Sequence, residues 1–91
     1  MDLLLKKINV VKTALPILNG SQLKILFYVL YFDDLSLFYP ISISDFQTNT
    51  GLSRGVCIKA INDLIRRKLI IRIPHKNSFL YRINYEWDGN F

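Results

Sequence analysis

The chain has 91 residues and a mass of 10.7 kDa, enough for one small domain with a core of marginal size. Its single Cys excludes an internal disulfide framework, and one Cys with one His excludes an ordinary Cys/His zinc site. The net charge of +5 is unevenly placed: residues 1–51 sum to zero, residues 52–82 to +7 and residues 83–91 to −2. Such one-sidedness points to a polyanionic partner, either nucleic acid or an anionic membrane surface.

The N-terminal stretch Asp2 to Thr13 spaces Leu4, Ile8, Val11 and Leu15 as an amphipathic helix does, although Val10 and Val11 also suit a strand. Its apolar start is cut by Lys6 and Lys7 with no small-residue cleavage site beyond, which argues against a secretory signal. Pro16 and Asn19-Gly20 end this element, and Ser21 is expected to cap a helix over Gln22–Phe32 that is apolar on most of its surface. The longest apolar run, Ile25–Phe32, is far short of the roughly 20 residues of a membrane span. Asp33 to Pro40 reads as a loop, with Asp33-Asp34 a solvated carboxylate pair rather than a metal site, and Ile41-Ser42-Ile43 as a small strand.

Ser44 is expected to cap a short helix, Asp45–Thr50, which stops at Gly51. Ser53 then caps a longer helix to about Lys68, with Cys57, Ala60, Ile61, Leu64 and Ile65 on one face and Gly55, Lys59, Asn62 and Arg66 opposite. Leu69–Ile73 and Phe79–Asn84 alternate as the two strands of a hairpin closed by the polar turn His75–Ser78. Pro74 fits only the mouth of that hairpin or an edge position. Cys57 is assigned to packing and His75 to a solvated turn. The Phe and Tyr residues fall mostly at core-spaced positions, with Phe79 and Tyr81 as the exposed exceptions.

Helix, small strand, short helix, tight turn, longer helix and basic hairpin follow one another as in a winged helix-turn-helix. The stretch from Ile43 to Ile71, with its TGLSR turn and LIRRKLI run, resembles that family. The layout from Val10 to Trp87, with LNGSQLKIL and FLYRINYEW, is similar to the N-terminal domain of phage O-type and DnaD-like replication initiators. The resemblance implies an α+β fold: a three-helix core with a C-terminal β-hairpin wing, preceded by an N-terminal helical extension. It divides the chain into an extension at 1–18, a DNA-binding domain at 19–87 and a tail at 88–91.

By that resemblance Ser53, Arg54, Gly55, Val56, Lys59 and Asn62 match the N-terminal half of the recognition helix, the part that enters the major groove. Asn62 is suited to adenine and Arg54 to guanine or phosphate, whereas Gly55 is bare where many relatives carry a polar side chain. Arg66 and Arg67 at the helix end, with Lys76 and Arg82 on the wing, suit backbone phosphates. The expected partner is double-stranded DNA, with no cofactor, metal or small-molecule substrate and a cytoplasmic location. The expected role is that of a transcriptional regulator or a replication-initiation module of a phage, virus or plasmid. No Ser/His/Asp set or glycine-rich phosphate loop supports an enzyme. Surplus apolar residues in 3–18 suggest a homodimer through that segment; the alternative is that it folds back over its own domain. The competing role is a winged helix used for protein assembly, without DNA binding.

Overall fold

The computed structural model describes residues 2–33 and 38–89. Helix α1 (Leu3–Ala14) begins where the Asp2 carboxylate accepts the Leu4 N–H. It is two-faced: Val10 and Ala14 are buried, while Leu4, Ile8 and, just beyond, Leu15 face outward. The segment therefore does fold back over its own domain, yet only with one side.

Helix α2 (Gly20–Phe32) is capped by Asn19, not by the expected Ser21. The Asn19 side chain accepts the Gln22 N–H at 2.9 Å, and the Gln22 side chain accepts the Asn19 N–H at 3.1 Å. A cap at Ser21 would have put Lys24 three residues on, and a lysine has no acceptor to complete that reciprocal pair.

The same chemistry moves the next helix. Ser42 and Asp45 cap each other's N–H groups, so α3 runs Ile43–Thr50 and begins before the expected Ser44. Asp45 also supplies a negative charge in the first turn, where the helix dipole favours one. Ile43 is thus helical, and the short strand lies earlier, as β1 (Tyr39–Pro40). Gly51, at φ 74°, takes the left-handed turn that ends α3.

Ser53 caps α4 (Arg54–Arg66) as expected, its hydroxyl accepting the Val56 N–H. The helix stops short of Lys68, which adopts φ 65° and turns the chain into β2 (Ile70–His75). Strand β3 (Ser78–Ile83) returns antiparallel and, among the described residues, sits in the middle of a three-stranded sheet ordered β1-β3-β2. Pro74 lies on the outer strand β2, where no further strand needs its missing N–H.

Ile25, Leu26 and Val29 of α2, Phe46 of α3, and Cys57, Ala60, Ile61 and Leu64 of α4 form the core with Leu69, Ile70 and Ile83. Tyr81, expected to be exposed, is buried at its centre, edge-on to Phe46 at 5.4 Å. The other aromatic expectation also reverses: Phe27, Tyr31 and Phe32 of α2 are exposed, because only one side of α2 meets α3 and α4. Trp87 is buried, and Gly89 approaches α1 so closely that a Cβ there would lie 3.1 Å from the Thr13 methyl. Asp33, read as a solvated helix end, is only 1% exposed, and neither carboxylate oxygen has a hydrogen-bond partner among the described residues. The second acid of that pair, Asp34, lies outside the described residues.

Candidate nucleic-acid interface

Helix α4 is built to present one face. Cys57, Ala60, Ile61 and Leu64 anchor it in the core, which turns Arg54, Gly55, Lys59, Asn62 and Arg66 to the surface. Ser53 and Val56 are exposed beside them, as is Ile58 at the margin. A Cβ built on Gly55 meets nothing within 4 Å, so packing does not demand a glycine there.

One carboxylate organises the cations on this face. Asp63 accepts from Arg66 at 3.0 Å, from Gln22 of α2 at 3.2 Å and from Lys59 at 3.5 Å. Its side chain is 15% exposed, against 80% for Lys59 and 64% for Arg66. Desolvation pushes the Asp63 pKa upward, but the Gln22 hydrogen bond and the charges of Lys59 and Arg66 outweigh it and hold the carboxyl below the ordinary range. Neither Gln22 nor Asp63 was among the sequence-derived site residues. The spacing of Asp63, four residues after Lys59 and three before Arg66, is the signal that was there to read.

The hairpin contributes differently from expectation. Lys76 stands exposed at its tip, with φ 53°. Arg82, expected on the wing as a phosphate contact, pairs with Ile71 and so lies on the sheet face turned away from the buried Tyr81 and Ile83. It is half-buried, its guanidinium stacks 5.5 Å above the Phe38 ring, and its Nε is buried. Arg72, which the sequence reading did not single out, lies on the other face: it pairs with Tyr81, on the side that packs against the helices, and lies 4.4 Å over the Phe79 ring. Arg67 is half-buried at the end of α4 and already engaged. The structure thus groups Arg54, Lys59, Asn62 and Arg66 on one exposed helix face and leaves Arg82 apart from them.

Among the described residues no cluster of three or more His, Cys, Asp or Glu side chains is arranged to hold a metal ion, and no helix is long and apolar enough to cross a membrane. Compared with known proteins, the chain matches no family model, no curated sequence and no solved structure.

Proposed function

We propose that this chain is a double-stranded DNA-binding protein of winged-helix type, acting as a transcriptional regulator or as the DNA-binding module of a replication initiator from a phage, virus or plasmid. The exposed face of α4 carries this reading. A helix seated on α2 and α3, with Arg54, Lys59 and Asn62 projecting from it, has the width and donor chemistry that the roughly 12 Å major groove accepts. The hairpin follows directly, with Arg72 and Lys76 as its cations toward the duplex backbone. Fluorescence anisotropy of the protein on a duplex across a salt series tests the proposal. Neutralising about 5–7 phosphates gives a log–log slope near −5 to −6. A slope near zero, or no binding at low salt, refutes it.

One observation adds self-assembly to this reading. Ile8, Val11 and Leu15 of the N-terminal segment and Phe27, Leu30 and Tyr31 of α2 line an apolar groove of about 680 Å³, with Tyr31 81% exposed. We place a second copy of the chain on this face. Helices of 12 and 13 residues are about 18–20 Å long, so side by side they offer a face of ~400 Å². That is about half of the ~800 Å² per partner of a standard interface, so the pair is weak in free solution and completed on DNA. The groove lies on α1 and α2 and leaves the exposed face of α4 free.

A further inference from the structure

Helix α4 ends in a reciprocal pair of backbone bonds: the Leu69 N–H reaches the Leu64 carbonyl at 3.0 Å, and the Lys68 N–H reaches that of Ile65 at 2.9 Å. This closure places the donor of the inner bond, Lys68, in the left-handed region, the position glycine ordinarily fills. The chain does use glycine at the equivalent exit of α3, Gly51, but here it carries Lys68 at φ 65°. The conformation is fixed from outside, by the Asn84 side chain donating to the Lys68 carbonyl at 2.9 Å and the Asn84 N–H to that of Leu69 at 2.8 Å. None of these bonds uses the Lys68 side chain. It is exposed, and neither ion pair found among the described residues involves it.

Beside it lies a depression of about 370 Å³ lined by Ile65, Lys68, Ile70, Ile71, Arg72 and Asn84, with two cations and no carboxylate. Arg72 is held in place by its stacking on Phe79, so one of the two charges is already oriented. Asn84 gives one Nδ2–H to the Lys68 carbonyl and accepts the Glu86 N–H at Oδ1, so the charged groups open to an incoming anion are Lys68 and Arg72. A second lysine, Lys76 at φ 53°, repeats the left-handed conformation at the other end of β2. A lysine whose backbone would be better served by glycine, beside an arginine and facing a concavity free of negative charge, matches a singly charged, multiply accepting group.

We infer that Lys68 and Arg72 form a phosphodiester-binding notch at the root of the hairpin, and that Lys68 is kept there against the preference of its own backbone. The inference rests on the DNA reading and adds to it a phosphate site that the charge pattern alone did not single out. Its signature is a pair of opposite effects from one substitution. In the full chain, Lys68→Gly relieves the backbone and raises the melting temperature by several degrees, a shift of about 4–8 °C corresponding to 1 kcal/mol in a domain of this size. The same variant binds duplex DNA several-fold more weakly, and its salt slope is shallower by about one. Lys68→Arg keeps the wild-type melting temperature and affinity, and Lys24→Ala, on α2, keeps the affinity. A Lys68→Gly protein that melts higher but binds with unchanged affinity and slope overturns the notch, and one that does not melt higher overturns the backbone argument. Failure of the wild-type protein to bind duplex at low salt is a separate result, which removes the DNA reading itself.

Discussion

Gln22 donates its side-chain amide to the Asp63 carboxylate across 41 residues of sequence, at 3.2 Å, while its amide oxygen caps its own helix at Asn19. One buried glutamine therefore both starts α2 and fixes the carboxylate that holds Lys59 and Arg66. The N-terminus of one helix is tied in this way to the charge balance on the exposed face of another.

Asp63→Asn releases both cations. Duplex affinity is expected to rise and the salt slope to steepen, because two positive groups gain freedom to meet phosphate. Stability moves the other way. The folded-state pKa of Asp63 lies below its unfolded value, so its contribution is present above the ordinary carboxylate range and is lost as pH falls through the folded value. Thermal melts from pH 7 to pH 2 check this: the gap between wild type and variant should be open at neutral pH and close in acid.

Gly55→Ala is expected to stabilise the protein by about 0.5–1 kcal/mol, since glycine within a helix is costly and the added methyl meets open space. If the bare position admits close approach to a groove, the same variant binds duplex more weakly. Urea denaturation and anisotropy measure the two effects; higher affinity would contradict the placement of this face.

Once preferred sites are selected from a random duplex pool, Asn62→Ala should cost roughly 1–3 kcal/mol on the preferred site and little on random DNA. Lys76→Ala, at the hairpin tip, should weaken both alike. Equal losses for Asn62→Ala on the two kinds of DNA would remove it from base contact.

Ile8→Glu places a charge in the α1–α2 groove at a half-exposed position, so the fold should survive it. Sedimentation equilibrium should show weak self-association of the wild type that strengthens with salt, since Lys7 and Lys12 line the same groove. The variant should remain monomeric and bind a single half-site. A wild type that adds to a two-site duplex as independent 10.7 kDa units, with no cooperativity between the two sites, excludes the pair.

The α4 helix and the hairpin were legible because local signals agree there: Ser53 stands before a clean 3.6-residue pattern, and β-branched residues flank a polar turn. Caps were harder, since Ser21 and Ser44 are good caps in isolation and lose to Asn19 and Ser42 through their partners Gln22 and Asp45. The burial of Tyr81 and the placement of Arg82 on the opposite face have another cause. Alternation gives the parity of a strand but not which parity faces the core, and that was decided by the meeting of Tyr81 with Phe46, 35 positions earlier in the chain. Likewise, the eight apolar residues of 25–32 gave no sign of which side α3 and α4 would cover, so the exposure of Phe27 and Tyr31 could not be read.

Each outer strand of the sheet carries a proline, Pro40 on β1 and Pro74 on β2. An open sheet edge is ordinarily a template for the strand of another molecule, and a chain rich in Ile, Phe and Tyr is exposed to that hazard as it emerges from the ribosome. Proline removes a donor from the edge, and β1 adds the further obstacle of being two residues long. Addition of further strands is therefore hindered on both flanks, and a concentrated solution of this protein should resist seeding by amyloid-forming segments.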